Sequence, residues 1–180
     1  LVALRSRAFA ATHSSEQPPA LAPRAPSDLP YVGLIVGRQH ELQTLRRWLI
    51  DDQCHVIAIV GMGGMGKSSV AATLGASLAD RFDRVIWRSL INAPQLGELL
   101  RNCIQALSAE TSASVPVSLD SQLDLLLSLL RDQRCLLILD NLESLLQTGT
   151  RAGAYRPGYA DYEQLIARVG QGQHKSCLVL

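Results

Sequence analysis

Apolar residues along this chain fall into two alternating patterns: short unbroken runs, and longer stretches in which they recur every three or four positions. His55 to Val60, dominated by Val and Ile and closed by Gly61, is a run of the first kind, as are Arg84-Val-Ile-Trp87, Cys135-Leu-Leu-Ile-Leu139 and Cys177 to Leu180. A strand apolar along its whole length is one covered on both faces, the condition of a parallel sheet. Between the runs lie helical periods. Leu42, Leu45, Trp48 and Leu49 share one face of Gln39 to Leu49, and Lys67 to Ala79 has helix composition. Leu96, Leu99, Leu100, Cys103, Ile104 and Leu107 mark a helix entered through Asn92 and Pro94, and Leu119, Leu123, Leu126, Leu127 and Leu130 another from Ser118 to about Asp132. Tyr162, Leu165, Ile166 and Val169 make a short one, stopped by Gly170. Strands alternating with helices predict a three-layer α/β domain around a parallel sheet. Thr148 to Gly158, rich in Gly, Tyr and Arg, predicts a surface loop.

Composition narrows this picture. Residues 1–30, rich in Ala, Pro and Ser and without hydrophobic period, predict a flexible tether, with the folded body over 31–180. At 180 residues and 47% hydrophobic, one core of moderate size is expected. Seventeen basic and sixteen acidic residues leave a net charge of +1, so bulk charge draws the chain to neither nucleic acid nor membrane. The run Leu1 to Thr12 is broken by Arg5 and Arg7 and is too short to span a bilayer. Cys54, Cys103, Cys135 and Cys177 lie far apart and read as reduced core residues of a cytoplasmic protein, with disulfide or metal use as the alternative. The chain starts with Leu and stops inside an apolar run, which suggests a piece of a longer protein, truncated at the C-terminal end of its sheet.

The chemistry sits where the first apolar run meets its helix. Gly61-Met-Gly-Gly-Met-Gly66-Lys67-Ser68 matches G-x-x-x-x-G-K-[ST] without a gap. Phosphate oxygens must approach the backbone closely, and a Cβ at Gly63, Gly64 or Gly66 would obstruct the turn or the amides that point into it. The helix behind presents unpaired N–H groups and a positive dipole end to the same anion. Gly61, Gly63, Gly64, Met65, Gly66, Lys67, Ser68 and Ser69 are therefore candidate phosphate contacts: Lys67 against the β- and γ-phosphates, Ser68 as a magnesium ligand. The alternative is an ordinary glycine-rich turn. The four required positions arise by chance in a chain this long less than roughly one time in a hundred.

Asp140 follows five apolar residues, at the C-terminal end of a buried strand where ligands of parallel sheets collect. That placement suits a second magnesium ligand beside Ser68, although a strand ending in Asp also reads as a turn or a helix cap. The glycine-rich motif is that of a P-loop, and Asn141 stands where many P-loop NTPases have a second acid, whereas an amide cannot take a proton from water. Glu143 is then the nearest candidate base; the alternative is a solvated residue of the short helix suggested by Asn141 to Leu146. Arg38 is a candidate ligand or else a cap.

These motifs resemble a family. Val36-Gly37-Arg38, followed by Glu41 and Leu42, is similar to the short motif that opens NB-ARC and related signal-transduction ATPases of the STAND class. The P-loop, Phe82-Asp83-Arg84-Val85-Ile86-Trp87 and Leu136-Leu-Ile-Leu-Asp140 resemble their Walker A, second strand and Walker B. The resemblance implies a molecular switch binding ATP or ADP with Mg²⁺, slow in hydrolysis, resting with ADP and self-associating in the full-length protein. It also implies that Val36, Gly37 and Arg38 lie against adenine, and that the Cys177 strand sits between the P-loop and Asp140 strands. Gln39 and Asn141 depart from the family's usual acids, and the later helical, winged-helix and sensor domains are absent from this chain. Two other classes share the P-loop: a small-molecule kinase, with Arg151 to Arg156 as a thin lid, and a DNA-dependent AAA-type ATPase, which calls for a basic strip.

Overall fold

The computed structural model describes residues 2–6, 29–31, 33, 35–108, 115–149 and 153–180. Among these residues, five strands form one sheet: β1 (Val2–Ser6), β2 (Val56–Val60), β3 (Arg84–Ser89), β4 (Cys135–Asp140) and β5 (Cys177–Val179), in the order β1-β2-β5-β4-β3. The last four run parallel. The strand latest in sequence, β5, thus separates the P-loop strand from the Asp140 strand, as the family resemblance implies. Helices α1 (Gln39–Ile50), α2 (Lys67–Ser77), α3 (Leu96–Leu107), α4 (Leu119–Asp132) and α5 (Asp161–Gln171) cover it.

The strand β1 corrects one expectation. Residues 2–6 belong by composition to the tether, yet they pair antiparallel with β2 along its whole length, Val2 opposite Val60 and Ser6 opposite Val56. The outer edge of β2 is a row of backbone donors and acceptors that an extended segment satisfies whatever the composition beyond it. The rest of the expected tether up to residue 28 lies outside the described residues.

Period-two alternation distributes the core to both faces of the sheet. In β4, Cys135, Leu137 and Leu139 join Leu100, Ile104, Leu123, Leu126 and Leu165 in one cluster, on the α3, α4 and α5 side. Leu136 and Ile138 point the other way, to Leu45, Leu49, Val70 and Leu74 of α1 and α2. Val56 and Leu178 follow the first set, and Ile57, Ile59, Cys177 and Val179 the second. Helix α2 packs so closely that a Cβ on Gly75 would come within 2.9 Å of Ile138 and 3.0 Å of Leu29. All four cysteines are buried thiols outside any disulfide; burial pushes those of Cys103 and Cys135 up to about 12 and raises that of Cys177. Among the described residues no helix is long and apolar enough to cross a membrane.

Polar contacts fix the ends of these elements. Ser118 caps α4, its hydroxyl accepting from the Ser121 N–H at 3.2 Å. At the start of β3 and β4, the Asp83 N–H donates to the Arg134 carbonyl and the Arg134 N–H to the Asp83 carboxylate, each at 2.8 Å. The Arg134 guanidinium lies over the Phe82 ring, 4.9 Å from its centroid. The Phe-Asp pair therefore aligns two strands far from the P-loop. Ser176, which precedes β5, accepts from the Cys135 N–H at 2.8 Å and donates toward the Leu130 and Gln133 carbonyls.

At this same end of the sheet the rings of His55 and His174 lie 4.3 Å apart. Burial, with His55 as a nearby second contributor, holds the His174 imidazole below its ordinary value of 6.5. A folded-state value below the unfolded one means that its stabilising effect is present above about pH 6.5 and is lost as pH falls through the folded value. The melting temperature should be lower at pH 5.5 than at pH 7.5, and His174→Gln should narrow that difference. An equal acid-induced fall in the wild type and the variant would show that His174 contributes none of it.

Candidate functional site

Helix α2 begins directly after the glycine-rich loop, with Gly66 as its N-cap residue and no side-chain hydrogen bond capping it. Its first N–H groups are left to face an anion. Gly64 and Gly66 have φ of 78° and 80°, the left-handed region that L side chains rarely enter. A Cβ at Gly63, Gly64 or Gly66 would meet no heavy atom of the protein within 4 Å. Within the protein, then, backbone handedness is what requires glycine at 64 and 66, and Gly63 borders open space, the side from which an anion would approach the amides.

Lys67 folds back over the loop. Its Nζ donates to the Gly61 carbonyl at 3.0 Å, reaches the Met62 carbonyl at 3.5 Å, and stands 3.4 Å from the Glu143 carboxylate. The Glu143 side chain is 59% exposed, so this ion pair holds Lys67 with only about 0–1 kcal/mol. Ser68, one residue into α2, donates its hydroxyl to Asp140 Oδ1 at 2.8 Å, across 72 residues of chain. Ser69 is half-buried on the next position. Asp140 ends β4, so the loop and the carboxylate meet at the carboxyl edge of the sheet. A hydroxyl and a carboxylate oxygen side by side are hard donors of the kind Mg²⁺ takes, with phosphate and water completing its shell.

Asn141 follows in the left-handed region, φ 65°, and the short helix suggested for this stretch is a 3₁₀ helix, Leu142–Leu145. The Asn141 amide donates to Asp140 Oδ2 at 3.1 Å and lies 3.5 Å from the Ser89 hydroxyl. Ser89 ends β3 in register with Asp140. Sequence reading stops the strand at Trp87 and so misses Ser89; extending the strand by two residues would have found it. Lys67, Asp140, Asn141 and Glu143 line one cleft together with Ala71 and Leu180.

The opening motif comes to the same place. Arg38 donates to the Met65 carbonyl of the loop at 3.3 Å and to Glu41 at 2.7 Å, a hydrogen bond that holds the Glu41 carboxyl below its ordinary value. Gly37 has φ 79°, and Val36 is 79% exposed beside it. Arg156 is held at the Ser144 carbonyl and over the Tyr159 ring, which ties it down rather than leaving it on a lid; Arg151 lies outside the described residues.

A parallel α/β sheet with a glycine-rich loop at the carboxyl edge of one strand and an aspartate at that of another defines a P-loop NTPase domain. The NB-ARC domain model matches residues 38–146, and the chain belongs to that family. Membership implies binding of ATP or ADP. An uncharacterized WD repeat-containing protein of Nostoc sp. is 38% identical over 161 residues, which cover 85% of this chain and 13% of that protein. An uncharacterized protein of Mycobacterium tuberculosis is 34% identical over 62% of this chain and 27% of its own length. The disease resistance RPP13-like protein 4 of Arabidopsis thaliana is 28% identical over 59% of this chain and 13% of its length. The chain thus spans about an eighth to a quarter of these relatives.

The loop geometry separates strain from clearance. Gly66→Ala should destabilise the fold by about 1–2 kcal/mol through its left-handed backbone, although nothing touches the new methyl. Gly63→Ala should leave stability within about 0.5 kcal/mol. Urea denaturation of both variants checks this, and equal losses would refute the distinction.

Proposed function

We propose that this domain binds ADP and ATP with Mg²⁺ as the nucleotide switch of a larger signalling protein, hydrolysing ATP slowly. The observation that carries this reading is the Ser68 hydroxyl 2.8 Å from Asp140, at the mouth of a loop whose helix start no side chain caps. Phosphate oxygens can replace the Gly61 and Met62 carbonyls around Lys67, which are neutral and partly solvated, and the weak Glu143 pair opposes that exchange little. Gly63, Gly64, Met65, Gly66 and Ser69 then offer backbone N–H groups to the phosphates, and Val36, Gly37 and Arg38 form the wall toward the base. Ser68 and Asp140 would hold the metal, which when bound neutralises charge on the β- and γ-phosphate oxygens.

Glu143 is the second carboxylate on the cleft and the group able to orient a water or take its proton. It is exposed and engaged with Lys67, and the Asn141 amide is engaged with Asp140 and cannot take a proton, so slow turnover follows. A slow site suits a switch that rests with ADP and changes state on exchange. The large size of the relatives, one with WD repeats and one a disease resistance protein, supports a multidomain setting for residues 31–180, and self-association and a cytoplasmic location are part of the switch reading that the family resemblance carries. A kinase lid finds no support in the anchored Arg156, nor a DNA-stimulated ATPase in the balanced charge.

Calorimetric titration should show Mg-ADP binding that Lys67→Ala weakens at least about tenfold, the loss of one charge-assisted contact or more. ATP turnover should fall below the roughly 1–100 s⁻¹ typical of kinases, and Glu143→Gln should lower it by a further factor of about 10²–10⁴, the usual worth of a general base. Unchanged ADP affinity in a folded Lys67→Ala protein would remove the phosphate-site reading. Unchanged turnover in Glu143→Gln would remove only the role of Glu143.

A further inference from the structure

We infer that Asn141 is a positioning residue of the metal site: its side-chain amide holds Asp140 Oδ2, so that Oδ1 stays aimed at the Ser68 hydroxyl. The inference rests on the Mg-nucleotide reading above and assigns the amide a task that the comparison with a missing acid conceals.

A carboxylate at a strand end can turn about its last torsion, which is broad and two-fold, and present either oxygen. Here the two oxygens have different partners. Oδ1 accepts from Ser68 at 2.8 Å and Oδ2 from the Asn141 amide at 3.1 Å. The amide can reach back to the preceding residue because Asn141 has φ 65°, a conformation asparagine tolerates better than most side chains. Its position is shared with β3, where the Ser89 hydroxyl lies 3.5 Å from the same nitrogen and itself accepts from the Ile91 N–H at 3.4 Å. Ser68, Asp140, Asn141 and Ser89 thus form one row across the carboxyl edge of the sheet. An acid at 141 would set a second acceptor against Oδ2, so the amide is the side chain that can serve as this strut. Partners that orient a metal-ligating carboxylate typically change metal affinity 10–100-fold when removed.

The test is ADP titration in EDTA and in excess Mg²⁺, read as the ratio of the two affinities, for the whole chain and two variants. Asn141→Gly keeps the left-handed backbone and deletes the amide. It should leave the metal-free affinity within about twofold and reduce the Mg²⁺-dependent gain by about tenfold, the lower end of the range for such partners. Ser89→Ala leaves position 141 untouched and should reduce the gain by a smaller factor. An unchanged gain in folded Asn141→Gly overturns the inference while the functional reading stands, as does an equal fall in both affinities, the mark of a merely loosened loop. Should Asn141→Gly not fold, an unchanged gain in Ser89→Ala overturns it. A wild-type chain whose ADP affinity ignores Mg²⁺ overturns the functional reading and this inference together.

Discussion

Every residue from Cys135 to Leu139 is at most 3% exposed, because β4 lies between strands on both sides and helices on both faces. That double burial is the constraint on which the other elements depend. A parallel strand cannot return by a tight hairpin, so each neighbour must arrive through a helix that packs on one face or the other. Alternating side chains then bind α3, α4 and α5 to one face and α1 and α2 to the other through the same five residues. The strand can stop being apolar only where the sheet ends, and it does so at Asp140.

The site inherits its geometry from that edge. The loop after β2 and the end of β4 are one strand apart, with β5 between them, and the Ser68 hydroxyl spans the gap. Charges here stay near water: Glu143 is mostly exposed, and Lys67 rests on carbonyls rather than in a buried ion pair. Burying an ammonium and a carboxylate together would cost several kcal/mol per ion in desolvation. An open, weakly held arrangement avoids that cost and leaves the lysine free to exchange its partners for phosphate. The opposite end of the sheet is organised differently. There Asp83, Arg134 and Ser176 lock strand starts through backbone N–H and C=O groups, and the buried His55 packs on the half-buried His174.

Much of this was legible in the sequence because it follows from local rules. An unbroken run as short as Cys135 to Leu139 reads as a doubly covered strand, the period of Leu96 to Leu107 buries one helical face, and the residue types from Gly61 to Ser68 state their ligand. Where contacts between distant segments decide, the reading ran out. Composition assigned residues 2–6 to a tether, but the open edge of β2 made them a strand. The glycine motif points to close approach of a phosphate, but the left-handed φ angles that require glycine at 64 and 66 are a property of the folded loop.

Asn141 shows the division most clearly. From its identity it is a missing acid; its second role depends on a left-handed turn and on the arrival of Asp140 and Ser89 from two strands. The sequence by itself determined the fold class, the order of helices and strands, and which loop faces phosphate, since hydrophobic period and glycine placement act over a few neighbouring residues. The motifs already set Asp140 beside Ser68; the tertiary structure alone decided that the two bond directly and that Arg38 meets Met65 and Lys67 meets Glu143. Such contacts join residues as far apart as Lys67 and Glu143, and their distances are set by how the sheet stacks its strands, which no local pattern records.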